Sequence, residues 1–511
     1  MTTSRLDAAK AYLAERNLTP AVRQPGASRV LGGWIGPEAK RRVAANARAF
    51  AAARLDRLTD SWRATSERIN DELRTDLDAL IRRSRELESN NDYAQRYLQM
   101  VETNVVGDAG PRLISLADNA PGNPDQLARD AIERAWKGWL KRGVCEISGT
   151  QSGIEVMWQI VRGTARDGDY IIEEIRGQAA GNAYGYALRL IDVTRLATWY
   201  NREAADGVNA IRMGIEIDYY GRAVRYWFAD TRHSAPQPVA AQNIIHRFRG
   251  IRPEQVRGIP WMHASMLSMH FVGEFALSAL VAAKHGADHL GFFVAPDGDP
   301  QAPLLDGDTD ERGRTITTSA PGTYDTLPMG YDVKTVDSKY PNEVFDPFVK
   351  SANRRMASGL NVSYPALCND HADLNYNSIR ATQADDRDQW RKVQAWFREA
   401  WLETIFDSWL TMALASGAIR MPSGSPLPMA KREKFAAHAW QFRGWQSNDP
   451  LKDVQAFREE LELHVNSRTR YTAERGREFD DVAREIALEA QTVPTPAPAA
   501  TLTPDPGAAD Q

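Results

Sequence analysis

Residues 246–261 read HRFRGIRPEQVRGIPW, a run in which arginines alternate with glycine and proline. A β-rich stretch at 243–248 leads into this run, and a long apolar stretch follows Pro260. Glycine and proline mark turns, and proline also suits the first turn of a helix. The run therefore predicts a junction at which the chain passes from a strand into a helix. It matches no catalytic consensus.

The segments on either side of this junction predict an α+β protein that is mainly helical. Before it, β-branched and apolar residues predict strands over 170–175, 186–193, 213–218 and 223–228, the last two joined as a hairpin by Tyr219–Arg222. After it, a helix is expected from Pro260 to Gly286. The same criteria predict helices within 37–88, 93–104, 123–142, 151–166, 342–359, 451–465 and 479–491.

A further helix is predicted over 385–415, where seven large apolar residues recur at steps of three or four. They are Trp390, Val393, Phe397, Trp401, Ile405, Trp409 and Met412. This stretch is roughly 35 Å long at about 1.5 Å per residue. So broad an aromatic face must pack against something large. Packing within the subunit and contact with another subunit are both open, as they are for the 14 tryptophans as a group.

The bulk composition narrows the class of protein. The chain has 511 residues, enough for about three domains. Its net charge of −4 argues against a protein that coats DNA, since such proteins are basic. The two cysteines, Cys145 and Cys368, fit a reducing compartment and exclude a disulfide scaffold. The longest apolar run, Phe271–Ala283, holds Glu274, so we expect no membrane span.

A search for catalytic chemistry yields only weak candidates, and no cofactor is expected. The sequence has no HExxH, Walker A, GxSxG or strand-linked GxGxxG pattern. His285 and His289 have the i, i+4 spacing of metal ligands, but Gly286 separates them and a third ligand is missing. Asp306, Asp308 and Asp310 have the spacing of the first ligands of a calcium-binding loop, but Thr317 stands where such a loop has its last acidic ligand.

Two alternatives to a structural protein follow from these features. One is a metal-dependent nuclease or hydrolase of a mobile element, which would rest on the two histidines and the acidic loop. The other is a soluble nucleic-acid-binding adaptor, which the acidic net charge disfavours. Asp370, His371 and Asp373 lie close together in sequence, but local capping explains them without a catalytic triad.

Five segments, in order along the chain, resemble the lambda-type phage portal proteins. The family patterns and their matches are R-x-R-S-R-x-L with N-N and N-x-V-G at 81–107, G-I-E-x-D-x-x-G-R-x-x-x-Y at 214–226, R-P-x-Q-x-R-G-x-P-W at 252–261, A-x-G-L-x-V-x-Y and N-Y-S-S-x-R within 357–380, and D-P-x-K at 449–452. Together they cover about residues 40–490. Glu254 replaces a usual glycine, Leu451 a usual glutamate or alanine, and Asn377 a usual serine; none is expected to remove a charge or turn that the fold needs.

The resemblance implies a structural ring, usually a dodecamer, and not an enzyme. Such portals occupy one capsid vertex, and double-stranded DNA is packaged and ejected through their channel. The implied partners are the terminase large subunit, the major capsid protein and a head–tail adaptor, with no membrane. The implied location is the virion, and the host cytoplasm during assembly.

The resemblance also implies a division of the chain into the parts of the portal fold, namely wing, stem, clip, tunnel loop and helical crown. We expect a mobile arm (1–36), the wing (37–258), the stem helix (259–286), the clip (287–330), the tunnel loop and following helix (331–384), a long wing or crown helix (385–430), the crown (431–492) and a disordered Pro/Ala tail (493–511).

Candidate functional residues follow from these placements. Lys334 and Lys339 flank the proposed tunnel loop and could touch DNA phosphates weakly, although ordinary solvated lysines would look the same. Arg252, Arg257 and Trp261 are candidates for the junction or for assembly. The two arginines would either fix a hinge or form ion pairs between subunits. Trp401 and Trp409 are candidates for the contact between subunits.

Overall fold

The computed structural model describes residues 67–288, 345–372, 375–445 and 449–492, with short strands at 28–30, 33–35, 292–294, 308–309, 315–316 and 332–334. The chain divides into two units, Met1–Arg68 and Ile69–Gln511. In the first unit, β1 (Ser28–Val30) and β2 (Gly33–Ile35) pair as an antiparallel hairpin. Most of the predicted arm (1–36) and the helical pattern that starts at Pro37 lie outside the described residues.

The second unit begins with helices that the sequence predicted closely. The elements are α1 (Ile69–Asn90), α2 (Asp92–Val105), β3 (Arg112–Ser115), β4 (Asp118–Ala120), β5 (Asn123–Pro124), α3 (Gln126–Trp139) and α4 (Gly153–Asp167). The Asn91 side-chain oxygen caps α2 by accepting hydrogen bonds from the amides of Tyr93 and Ala94. Ser152 and Glu155 form a capping box at the start of α4. These polar residues fix the helix starts because they satisfy amides that have no partner inside the helix.

Two antiparallel sheets follow. Their strands are β6 (Asp169–Arg176), β7 (Tyr186–Ile191), β8 (Ala210–Arg212), β9 (Ile215–Ile217), β10 (Ala223–Phe228), β11 (Gln237–Ala240) and β12 (Ile244–Phe248), in the orders β12-β6-β7 and β11-β10-β9-β8. The predicted hairpin is confirmed, and one Asp218 carboxylate oxygen accepts from the amides of Tyr220 and Arg222 in its turn. Strand β9 starts two residues later than predicted because Met213 and Gly214 have positive φ.

After the junction the chain forms α5 (Met266–Asp288), β13 (Phe292–Val294), β14 (Asp308–Thr309), β15 (Thr315–Ile316), β16 (Asp332–Lys334), α6 (Phe345–Leu360) and α7 (Tyr364–Cys368). The prediction that the helix starts at Pro260 is wrong, because 261–265 form turns stabilised by Pro260 and Met262 carbonyls. The helix also continues through Gly286 to Asp288. Asn342, the predicted cap of α6, lies outside the described residues.

The predicted long helix is present and extends further toward the N-terminus. It consists of α8 (Tyr376–Phe397), a π-helical segment (Arg398–Leu402) and α9 (Glu403–Ala415). In an ideal α-helix each step of four residues moves the side chain about 40° around the helix axis, so four such steps move it by about 160°. The wider π turn takes up an additional residue, so Phe397, Trp401 and Ile405 all stay in the core.

The chain continues with α10 (Arg432–Ala436), β17 (His438–Gln441), α11 (Pro450–Glu462), α12 (Arg468–Glu474) and α13 (Phe479–Thr492). Strand β17 pairs with β3, which brings this region back to the first helices. Asp449 caps α11 by accepting from the Lys452 amide and pairs with the Lys452 ammonium at 3.1 Å. The D-P-x-K pattern is therefore a helix start. Helix α12 was not predicted.

Two hydrophobic cores are visible among the described residues. The larger one joins α2, α3, α4, α6, α8 and α9 with part of the β12-β6-β7 sheet. The smaller one packs α1 against both sheets through residues such as Leu73, Leu77, Ile171 and Tyr226. The junction at 246–261 contacts both cores, because Val256 and Ile259 pack against the smaller one and Trp261 packs against the larger one.

Candidate functional site at the junction

The junction is built on a buried aspartate, Asp169, at the first position of β6. Arg257 Nε donates to its Oδ2 at 2.5 Å, and the amide of Gly258 donates to the same oxygen at 3.2 Å. His246 Nε2 lies 3.0 Å from that oxygen as well. The side chains of Asp169 and Arg257 are both 0% exposed. Strand β6, strand β12 and the junction loop thus meet at one carboxylate.

Electrostatics fix the charge states of this cluster. Burial alone would raise the pKa of Asp169, but the charge of Arg257 and the hydrogen bond from His246 outweigh burial and hold that pKa well below its usual range. Burial lowers the pKa of His246, and the neighbouring arginines add to this effect. The carboxylate is therefore charged and the imidazole neutral near pH 7, as an internal ion pair requires.

The backbone of the junction is held equally tightly. A Cβ on Gly258 would lie 2.0 Å from the carbonyl oxygen of Gly168, so only glycine allows these two backbone segments to come so close. Gln255 bridges the loop, since its Oε1 accepts from the Ile251 amide at 2.9 Å and its Nε2 donates to the Arg257 carbonyl at 2.6 Å. The R-P-x-Q-x-R-G pattern therefore encodes a rigid connection.

One residue of the junction carries backbone strain. Glu254 has φ +62°, a left-handed conformation that favours glycine. Its carbonyl accepts a hydrogen bond from Asn70 Nδ2 at 2.8 Å, which anchors this turn to α1. Glutamate in place of the usual glycine at position 254 therefore keeps the turn but adds backbone strain there.

The other junction candidates also have partners within the subunit. Arg252 pairs with Glu72 on α1 at the surface. Trp261 is half-buried, with its ring 5.7 Å from that of Trp396 and the Arg249 guanidinium 4.8 Å above it. These contacts support the hinge-fixing alternative for the arginines.

Arg247 links the junction to the π-helical segment. Its Nε donates to the Ala400 carbonyl at 2.9 Å, and its Nη2 lies 3.3 Å from Thr404 Oγ1. A π turn disturbs the regular pairing of carbonyls along a helix, and a charged donor is a strong replacement partner. Strand β12 thus contacts the long helix at its one irregular point among the described residues.

Trp401 and Trp409 are not assembly contacts, because both are 0% exposed inside the subunit. Trp409 packs edge-on against Trp136 with ring centroids 4.9 Å apart, and Trp401 packs against Tyr170 at 6.1 Å. The aromatic face of the long helix is thus covered by α3, β6 and their neighbours. Of the two alternatives left open by the sequence, packing within the subunit is correct for these residues.

Helix α5 presents the surface that the sequence analysis missed. Five large apolar side chains on it are 45–67% exposed, namely Leu267, Phe271, Leu277, Leu280 and Val281. The stretch Met266–Lys284 is long and apolar enough to cross a membrane by length and composition alone, and 22% of it is buried. The uninterrupted apolar run Phe271–Ala283 is shorter than this stretch, which explains why the sequence predicts no membrane span. A single such helix is weak evidence for a membrane, but its exposed face requires an apolar partner.

The remaining candidates can be placed only in part. Lys334 ends β16 opposite Phe292 of β13, while its side chain and Lys339 lie outside the described residues. His289, Asp306 and Asp310 also lie outside them, as do the side chains of His285 and Asp308. Within the described ranges no group of three or more His, Cys, Asp or Glu residues could hold a metal ion.

Asp370 has the local capping arrangement that the sequence predicts. It accepts from Tyr364 Oη at 2.6 Å and from the Ala372 amide at 3.1 Å. These bonds lower the pKa of its carboxyl group. Neither partner is a nucleophile activated by a base, so this contact supports no catalytic triad. Asp373 lies outside the described residues.

The sequence is similar to known proteins over most of its length. Residues 55–394 match the family model described as phage portal protein, lambda family. The chain is 32% identical over 457 residues to a probable portal protein of Halomonas phage phiHAP-1, covering 86% of each chain. It is 21% identical over 471 residues to portal protein B of Escherichia phage lambda, covering 84% of this chain and 86% of that one. A chain from the neck of an empty gene transfer agent particle aligns with a TM-score of 0.41 and 14% identity, over 78% of this chain and 92% of that one.

Proposed function

Because the chain belongs to the lambda family of phage portal proteins, we propose that its copies close into a ring at one capsid vertex, through which double-stranded DNA enters and leaves. A portal protein is a structural component and not an enzyme. The family relationship therefore gives no support to the metal-dependent nuclease.

The observation that supports a ring most directly is the exposed apolar face of α5. Its large side chains lie on one continuous half of a 23-residue helix. Exposed apolar area of this kind is stabilised when another protein surface covers it. In a ring every copy covers the same face of its neighbour with a different face of its own, so no apolar surface is left over. We assign α5 to the stem on this basis.

The parts around α5 fit the same assignment. Strands β13 and β16 pair, so Val294 and Asp332 lie side by side, as they would at the base of a clip at 287–330. The tunnel loop would follow within 331–384. The wing would comprise the sheets and helices up to 258, the long helix Tyr376–Ala415 would belong to the wing or crown, and the crown would span 431–492.

The charge of the chain is compatible with DNA that must slide. Each phosphate that a protein neutralises adds affinity through counterion release, and many such contacts would hold DNA in place. The chain has a net charge of −4, and only Lys334 and Lys339 are proposed as weak phosphate contacts. The proposed partners are the terminase large subunit, the major capsid protein and a head–tail adaptor. The proposed location is the virion, and the host cytoplasm during assembly.

Native mass spectrometry of the purified chain tests the ring. The expected result is one dominant mass that is a multiple of 57.0 kDa, twelvefold for a dodecamer, with ring-shaped particles and a central channel in negative-stain images. A subunit that stays monomeric at every salt and protein concentration would contradict the proposal.

A further inference from the structure

Helix α5 carries one carboxylate in the middle of its exposed apolar side. The stretch Met266–Lys284 contains a single acidic residue, Glu274, and a single lysine, Lys284. The Glu274 side chain is 62% exposed, and its Oε1 lies 3.4 Å from His270 Nε2. Burial of a carboxylate in an apolar contact between subunits would be strongly unfavourable. The position of this polar pair therefore constrains how α5 meets a neighbouring copy.

The residues of α5 that its own subunit covers lie opposite Glu274. At about 100° per residue, Val272 and Ala279 lie about 160° and 140° from Glu274 around the helix axis. Both are 8% exposed, and Val272 belongs to the larger core. On this covered side α5 packs against α1 and α6, where Phe275 stacks on Phe345 with ring centroids 5.5 Å apart. The body of the subunit thus lies behind α5, and Glu274 faces away from it.

Large apolar side chains lie on both flanks of the open side. Phe271 lies about 60° from Glu274 in one direction, and Leu277 and Leu280 lie about 60° and 120° from it in the other. All three are 57–67% exposed. Phe271 and the middle of the leucine flank are therefore about 150° apart around the axis. The two neighbours of one member of a ring of twelve also lie in directions about 150° apart, measured on the inner side.

The polar pair occupies the part of the open side between these flanks. Leu267 and Val281 lie about 10 Å from Glu274 along the axis, one toward each end of the helix, at about 1.5 Å per residue. Each is also turned about 20° from Glu274 toward its own flank, Leu267 toward Phe271 and Val281 toward the leucines. At the level of Glu274, the side chains suited to apolar contact are thus those of the flanks alone.

We infer that the α5 helices pack side by side around the ring, with the Phe271 flank of one copy against the leucine flank of the next, and that Glu274 and His270 line the channel. This inference rests on the proposed ring. The two flanks differ, as a head-to-tail ring requires. They are offset by about 11 Å along the helix, so the helices must be inclined to the ring axis. The body behind α5 would block the channel if it lay inside, so the open side faces the axis.

The lining assigned in this way suits a duplex that slides. A protein holds DNA by neutralising phosphates, because each neutralised phosphate releases counterions. Glu274 neutralises none, and one carboxylate from every copy forms a ring of like charge that repels the phosphates. The duplex is therefore kept away from the wall at this level of the channel. The same reasoning predicts that cations at position 274 would make the channel hold DNA.

A charge reversal at Glu274 tests the inference on the purified full-length ring. Glu274→Lys places one lysine per copy at the channel wall and should tighten the binding of a linear DNA duplex about tenfold or more at low salt, through counterion release. A covalently closed circle of the same sequence has no end that can enter the channel, so its affinity should stay the same. Nitrocellulose filter binding over a range of salt concentrations measures both affinities, and native mass spectrometry confirms the ring.

Two further variants control this experiment. Asp230→Lys is the matched charge reversal outside α5, because the Asp230 side chain is 78% exposed and likewise has an ion-pair partner, Arg195. It should change the affinities for the linear and the circular duplex equally. Glu274→Gln removes the charge without reversing it, so it should keep the ring and give a smaller gain for the linear duplex.

The possible failures of this inference and of the proposed function are distinguishable. An equal gain for linear and circular DNA in Glu274→Lys, or no gain for either, would overturn the channel assignment of Glu274. Loss of the ring in either Glu274 variant would also overturn it, because the residue would then lie between subunits. The unmodified chain still forms a ring in all these cases, whereas a monomeric unmodified chain would contradict the proposed function itself.

Discussion

At position 257 an arginine is completely buried beside an equally buried aspartate, Asp169. Such a pair gains little over apolar packing, but each member becomes very unfavourable when the other is removed. The sequence alone left open whether Arg257 fixes a hinge or forms an ion pair between subunits, and in the second case Arg257→Ala would act mainly on ring assembly. The observed burial changes that expectation, since the first effect must be on the stability of the subunit itself.

We predict that Arg257→Ala lowers the free energy of unfolding by about 3–5 kcal/mol, because it leaves the Asp169 carboxylate buried with His246 as its remaining side-chain partner. The matched control is Arg252→Ala in the same loop. Its ion pair with Glu72 is exposed, so its removal should cost no more than about 1 kcal/mol. Urea unfolding followed by circular dichroism measures both. Equal losses for the two variants would mean that the buried cluster does not stabilise the junction.

Glu254→Gly should stabilise the protein, by about 0.5–1 kcal/mol, because glycine adopts the left-handed conformation at φ +62° without strain. The hydrogen bond from Asn70 is retained, since it goes to the backbone carbonyl. Met213→Gly is the contrasting control: Met213 also has positive φ but is 1% exposed, so losing its side chain should destabilise the subunit. A lower thermal midpoint for Glu254→Gly would contradict this explanation.

At the scale of elements, local signals predicted much of the fold. Capping residues and periodic apolar positions placed α2, α4 and α13 within a few residues, and β-branched runs placed β6, β10 and β12. The start of α5 was missed because turns held by Pro260 and Met262 carbonyls occupy the positions before it. Residue types alone could not reveal the Asp169 cluster, since its members are 77 and 88 residues apart in sequence. The exposed face of α5 could not be foreseen either, because exposure depends on what the other elements cover.

The π-helical segment of the long helix gives a prediction of its own. Deleting Glu399, whose side chain is 71% exposed, should convert 398–402 to regular α-helix while the residues on both sides stay in the core. The expected loss is about 1–2 kcal/mol, mainly from the Arg247 hydrogen bonds to this segment. Deleting Asp407, an exposed residue of α9, is the control. It would rotate Trp409 by about 100° out of the core and should unfold the subunit. Equal losses in the free energy of unfolding for the two deletions would show that the π-helical segment contains no additional residue that can be removed.

At the scale of the whole molecule, the described helices carry two apolar surfaces, one buried inside the subunit and one exposed. The aromatic surface of the long helix is buried inside the subunit, where Trp401 and Trp409 pack with Trp136 and all three are almost completely covered. The surface of α5 is left outside, between a rigid junction at one end and the paired strands β13 and β16 at the other. A rigid frame that presents one apolar helix is the arrangement expected of a subunit whose remaining partner is another copy.

This arrangement predicts that Leu277→Asp with Leu280→Asp abolishes the ring and leaves a folded monomer. Both side chains are more than 60% exposed, so the subunit should unfold within about 0.5 kcal/mol of the unmodified chain. In an interface the same changes would bury two unpaired carboxylates, which is strongly unfavourable. Leu463→Asp with Val465→Asp, equally exposed but outside α5, is the matched control and should still assemble. Native mass spectrometry should show 57.0 kDa for the first variant and the full assembly for the second. Intact rings from the α5 variant would show that this face does not join the subunits.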